Sequence, residues 1–165
     1  MSVRPLCYEP DPVLRQPVRP VTDFTGGLRR LAQDLIDTMY ASQGIGLAAP
    51  QVGQAVALFV ANPSQEPGRE LIVANPTLER AEGRAAVVEG CLSLPDLWER
   101  VGRSSRVRVR GQDVSGRPLD LEASGILAIV LQHELDHLQG RLFIDRLSWF
   151  RRWRLMRRAG KRRPA

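Results

Sequence analysis

The chain has 165 residues, 43% of them hydrophobic, and carries 24 basic against 18 acidic side chains for a formal net charge of +6. One domain with a sizeable core is the natural expectation at that size. No apolar run is long enough to span a bilayer, and the start Met1-Ser2-Val3-Arg4-Pro5 lacks the apolar stretch of a secretory signal, so a cytoplasmic location is expected.

Taken in chain order, Cys7 lies among Pro5, Tyr8 and Pro10 and reads as a small buried apolar residue. A helix is expected over roughly Gly27–Ala41. It leads into Gly44-Ile45-Gly46-Leu47-Ala48-Ala49-Pro50-Gln51-Val52-Gly53. The glycines of this turn permit close backbone approach to a ligand, and Gln51 adds a side-chain amide. Such a turn is by itself more often only a loop, and its spacing is neither that of a dinucleotide-binding turn nor that of a P-loop.

Strand-like runs follow at Ala55–Ala61, Glu70–Ala74, Thr77–Arg80 and Ala85–Glu89, with a turn over Asn62–Gly68. The last run breaks at Gly90, and Cys91-Leu92-Ser93-Leu94-Pro95 comes next. Two cysteines in such different settings do not form a disulfide framework, and no paired-cysteine metal motif is present. Further strands are expected at Arg106–Asp113 and Pro118–Glu122. Alternating arginine and valine over Arg106–Arg110 marks a half-exposed strand with a solvated basic face.

The chain's only two histidines fall in His133-Glu134-Leu135-Asp136-His137. Ser124 is a plausible N-cap and Gly140 a plausible stop for a helix carrying this string. Residues four apart lie one turn apart on one helical face, so both imidazoles can reach a single metal ion. Glu134 sits about 100° round the axis, near the metal without being forced to ligate it, which suits a general base. The competing reading is a buried helix with two hydrogen-bonded core histidines. Ile126, Ile129 and Val130 continue the histidine face as an apolar stripe and, with Val87, form a candidate wall for an apolar substrate side chain. A catalytic site needs a third protein ligand. Cys91, at a strand break with backbone N–H groups nearby, is a candidate that spacing alone does not select.

Residues 148–165 hold eight basic side chains and no acidic ones, which leaves 16 basic against 18 acidic residues in 1–147. All the net basicity therefore lies in the tail. There Trp149, Phe150, Trp153 and Met156 can share one face of a helix, with Arg151, Arg152, Arg154 and Arg158 largely elsewhere. Three readings follow: a contact for phosphate-rich RNA, a contact for an anionic membrane surface, or a solvated helix whose aromatics dock on their own domain.

Three segments in order, GIGLAAPQVG (44–53), EGCLSLP (89–95) and QHELDHLQG (132–140), resemble the signature motifs of the peptide deformylases, and the similarity extends over nearly the whole chain. The resemblance implies an α+β fold with antiparallel strands packed around a central metal-binding HExxH helix, an N-terminal helix and a basic C-terminal helix. Residues 1–147 are then the catalytic domain and 148–165 a basic helix or tail of the same domain.

The implied reaction is removal of the formyl group from the N-terminal formylmethionine of new polypeptides, with a metal-bound hydroxide attacking the formyl carbon. Position by position, Cys91, His133 and His137 match the metal ligands and Glu134 the general acid/base. The Gln51 side chain and the Leu92 N–H match the groups that steady the formyl oxygen. Ile45, Gly46 and Gly90 fall where the family's backbone pairs with an extended peptide. The cofactor implied is one divalent metal, Fe(II) in the cell, with Zn(II) or Ni(II) also compatible with purified protein. The partners implied are formyl-methionyl nascent peptides and, through the tail, the ribosome surface.

Trp98 departs from the family pattern, in which many members carry an arginine near the substrate. It leaves room for a related amidase acting on another acylated amine. A binding module with a merely structural metal is the other rival, and Glu134 and Gln51 argue against it because neither is needed to hold a metal. Asp136 and Arg103 are a candidate supporting pair behind the metal ligands.

Overall fold

The computed structural model describes residues 2–160. Leu28, Ala32, Leu35 and Met39 recur at helical spacing and form the buried stripe of helix α1 (Gly26–Ala41), which starts one residue before the expected boundary. Strand β1 (Gly46–Ala48) follows, and then β2 (Leu58–Ala61), which is buried at every position. Side chains of β2 alternate between two cores. Leu58 and Val60 pack with Leu35 and Met39 of α1, whereas Phe59 and Ala61 pack on the opposite face of the sheet. Fully burying a Leu or Phe side chain in this way stabilises the fold by about 1.5–3 kcal/mol.

Strands β3 (Leu71–Glu82), β6 (Arg106–Gln112) and β7 (Pro118–Ser124) complete a five-stranded antiparallel sheet in the order β1-β2-β3-β6-β7. The two short strands expected at Glu70–Ala74 and Thr77–Arg80 are one strand, because β3 absorbs the Asn75-Pro76 interruption as a register shift between Ala74 and Thr77. Asn75 takes φ 50°, and its side chain exchanges hydrogen bonds with the backbone of Val21 at 2.8 and 2.9 Å.

Strands β4 (Ala85–Cys91) and β5 (Leu94–Arg103) form a separate two-stranded antiparallel ribbon. No strand was expected over β5. Leu97 and Val101 of β5, with Leu94, pack against Leu142, Phe143, Ile144 and Leu155 in a third core.

Helix α2 (Gly125–Leu138) carries the His133/His137 string. Ten of its fourteen residues are buried, which makes it the central helix rather than a surface one. Ala128, Leu131, Leu135 and Leu138 seat it on Phe59, Val73, Val107 and Val109 of the sheet. Ser124 is the N-cap residue, although its side chain makes no capping hydrogen bond, and Gly140 follows the helix at φ 68°.

Helix α3 (Trp149–Gly160) buries Leu155 against the ribbon. Arg151 donates to Glu99 at 2.8 Å and to the Arg100 carbonyl at 2.6 Å, and Arg152 pairs with Asp145 at 2.8 Å. The reading in which the aromatics dock is overturned: Trp149, Phe150, Trp153 and Met156 are all exposed, and arginines make the polar docking contacts instead. The tail residues 161–165 lie outside the described residues. No helix among the described residues is long and apolar enough to cross a membrane.

Candidate active site

Three segments distant in sequence converge on one cavity of about 630 Å³. β1 and the turn before it supply Ile45 and Gly46. The short 3-10 turn Ala49–Val52 supplies Gln51, and β4 with the turn after it supplies Val87, Gly90, Cys91 and Leu92. α2 supplies Ile126, Ile129, Val130, His133 and Glu134. His137 alone of the candidate ligands, catalytic groups and substrate-wall residues is not part of the lining; it is buried one helical turn beyond His133, its ring centroid 4.9 Å away. Ile129 and Val130 are buried wall residues, whereas Ile126 is half exposed at the mouth.

Both strands that flank the cavity have a free edge. β1 is the terminal strand of the sheet, and β4 pairs only with β5 among the described residues. The N-terminal segment ties the two loops together, Cys7 N–H donating to the Gln51 carbonyl at 2.8 Å and Glu9 N–H to that of Ser93 at 3.1 Å.

Cys91, His133 and His137 place one donor atom each within 4.8 Å of the others, close enough for a single ion. Cys91 Sγ is 3.3 Å from His137 Nε2. Glu89 Oε2 is 2.9 Å from His133 Nδ1, which leaves Nε2 of His133 for a metal. Burial, assisted by the neighbouring His133, holds His137 well below its ordinary pKa, and a neutral imidazole is the form that ligates. A thiolate with two imidazoles is a donor set for Zn(II) or Fe(II), with one coordination position left for water.

Glu134 is buried beside this group, and its Oε2 has no hydrogen-bond partner. Desolvation pushes its pKa up to about 7. An orphaned buried carboxylate oxygen next to three ligand atoms fits a site built for a cation and a water. Gly46 allows this packing, because a Cβ there would collide with the Glu134 carboxylate and come within 2.9 Å of Val130.

Gln51 is oriented from behind. Its Oε1 accepts from the Ala48 N–H at 2.9 Å, so Nε2 faces Ser93 Oγ at 3.2 Å and Cys91 Sγ at 3.6 Å. Leu92 lies in the turn between β4 and β5, at the cavity wall.

Behind the ligands stands an ion network. Arg103, buried, reaches Glu89 at 2.7 and 2.8 Å and Asp136 at 2.5 Å, and Arg146 also binds Asp136. The pairing of Asp136 with Arg103 expected from sequence is present. Burial acts to raise the Glu89 pKa, but Arg103 and His133 outweigh it and hold the carboxyl down at about 2. Sequence reasoning missed Glu89. Strand alternation places Val87, Glu89 and Cys91 on one face of β4, and an acid on the ligand's face was the signal that could have found it.

An HExxH helix whose two histidines meet a cysteine from a neighbouring ribbon, with a glutamate at hand, defines a metal-dependent hydrolase. A family model described as polypeptide deformylase matches residues 3–153. The chain belongs to the peptide deformylase family. A peptide deformylase of Acidobacterium capsulatum is 43% identical over 167 residues, covering 100% of this chain and 98% of the relative. The crystal structure of the peptide deformylase from Thermus thermophilus superposes with a TM-score of 0.91 at 46% identity, over 96% of this chain and 94% of that one. A peptide deformylase structure from Legionella pneumophila gives 0.91 at 37% identity, over 99% and 100%.

Proposed function

We propose that this protein removes the formyl group from the terminal formylmethionine of newly made polypeptides and releases formate. The observation that carries the reading is a buried Glu134, its Oε2 without a hydrogen-bond partner, beside the Cys91/His133/His137 group in a cavity bordered by two strand edges left free among the described residues. Cys91, His133 and His137 would hold one divalent ion, Fe(II) in the cell, with Zn(II) or Ni(II) also compatible with purified protein. Such an ion lowers the pKa of water and polarises a carbonyl.

Glu134 takes the proton of the attacking water and delivers it to the departing amine, a role suited to a carboxyl poised near neutrality. Negative charge gathering on the formyl oxygen is met by the Gln51 Nε2 donors and the Leu92 N–H. The Ala48 contact fixes the amide's orientation, and Nε2 would exchange its long contact with Cys91 Sγ for the formyl oxygen. The backbone of Ile45, Gly46 and Gly90 pairs with an extended peptide, and Val87, Ile126, Ile129 and Val130 enclose the methionine side chain.

The peptide is therefore read mainly through its main chain, as a processing enzyme for many proteins requires. Residues 1–147 act as the catalytic domain, and 148–165 form a basic appendage that meets the phosphate-rich ribosome surface in the cytoplasm, where the substrate emerges.

The test is formate release from formyl-Met-Ala-Ser by anaerobically prepared, iron-loaded protein and its Glu134→Ala variant. Formate from the parent, with retained metal and no turnover in the variant, is the expected result. A fully metallated parent that releases no formate sinks the reading. For the appendage, truncation after residue 147 is expected to abolish co-sedimentation with ribosomes at low salt. Unchanged co-sedimentation removes that role.

A further inference from the structure

Trp98 stands at the lip of the cavity with 66% of its surface exposed. Strand pairing sets it directly opposite Gly90, so the indole projects from the same face of the ribbon as the Gly90 position. A Cβ at Gly90 would come within 2.7–2.8 Å of three atoms of the indole ring system. The ring therefore lies down on the Gly90 backbone, and the missing side chain is its seat. One face of the indole is occupied in this way and the other is open.

Two further exposed apolar side chains stand at the same rim, alongside the acidic Asp96. Val88, two residues before Gly90 and on the same face of β4, is 65% exposed at the cavity rim. Ile126, on α2, is 55% exposed at the same rim. A large exposed apolar group anchored by a tailored glycine, beside two more at one opening, is a surface built for a ligand rather than for solvent.

We infer that Trp98 is a specificity-determining residue that holds an apolar or aromatic side chain downstream of the methionine in the formyl peptide. The inference rests on the formyl-peptide reading above. An extended chain advances about 3.3 Å per residue, so a peptide passing Gly90 brings its second or third side chain level with an indole seated on that glycine. An aromatic side chain on the open face gains contact with the ring, whereas a serine or aspartate gains none.

The experiment measures kcat/KM for iron-loaded, full-length parent, Trp98→Ala and Trp98→Phe. The substrates are formyl-Met-X-Ser and formyl-Met-Ala-X, with X as Phe, Leu, Ser or Asp. The parent is expected to favour Phe over Ser by about three- to tenfold at one of the two positions. In Trp98→Ala that ratio falls to within about twofold of one, and Trp98→Phe retains most of it. A merely structural Trp98 would lower all rates together and leave the ratio untouched.

A parent without side-chain preference, or a Trp98→Ala variant that keeps the parent's ratio, overturns the inference while leaving deformylation intact. Absence of formate from every peptide overturns both.

Discussion

Glu89 Oε2 lies 2.9 Å from Nδ1 of His133, and the same carboxylate is gripped by Arg103 through Nε and Nη2. The ring of His133 is thereby fixed in rotation, with its other nitrogen turned to Cys91 and His137. Replacing Glu89 by Gln keeps the shape and removes the charge. Metal affinity is expected to weaken by about 10–100-fold, read by competition with a chelator. Unchanged affinity would show that the contact does not orient the ligand.

Arg103 is expected to matter more for folding than for chemistry. Its side chain is 1% exposed and its partners Glu89 and Asp136 are 6% and 4% exposed. Arg103→Met leaves buried carboxylates facing an apolar group, and a loss of about 3–5 kcal/mol is expected in urea unfolding. A loss under about 1 kcal/mol would mean that Arg146 alone compensates Asp136 and that water reaches Glu89.

Gly46→Ala separates geometry from stability. The added methyl must displace the Glu134 carboxylate or Val130, or move β1 off α2. A shift of about 1 Å at a reacting group costs on the order of 10²-fold in rate, so kcat should fall by about that factor while metal content is retained. Activity equal to the parent's would show that Glu134 tolerates a second position.

Acid stability should report a pair remote from the cavity. Tyr40 donates to Glu70 at 2.5 Å, and that hydrogen bond lowers the Glu70 pKa below 4.5, while burial raises that of Tyr40. A lowered carboxyl pKa in the folded state contributes stability that is present above the unfolded value and is lost as pH falls through the folded one. Tyr40→Phe should therefore flatten the fall in stability below about pH 4.5 relative to the parent, measured as Tm against pH. Identical acid limbs would show that the hydrogen bond does not shift Glu70.

The parts of the fold written in regular periods were legible. Helix α2 announced itself by its cap, its stop and its four-residue histidine spacing, and β6 by alternating arginine and valine. β5 was not legible, because Asp96 adopts φ 62° and breaks the alternation there. Leu94 and Leu97, three apart, are both buried, and regular alternation begins only at Leu97. The Cys91/His133/His137 cluster could be named because its members sit in motifs. Glu89 and the Ala48–Gln51 contact could not, since each acquires its meaning only from a partner brought up by the tertiary fold.

Peptide pairing on the edges of β1 and β4, which no other described strand occupies, would on the function proposed above impose a schedule on the substrate. A terminus can fill the gap between them only while its first residues are straight and uncommitted. Once those residues have joined a helix or a sheet of their own protein, the missing strand is no longer on offer. An enzyme working in that way would compete with the folding of its own substrates, and the interval for processing each would close as its amino terminus became structured.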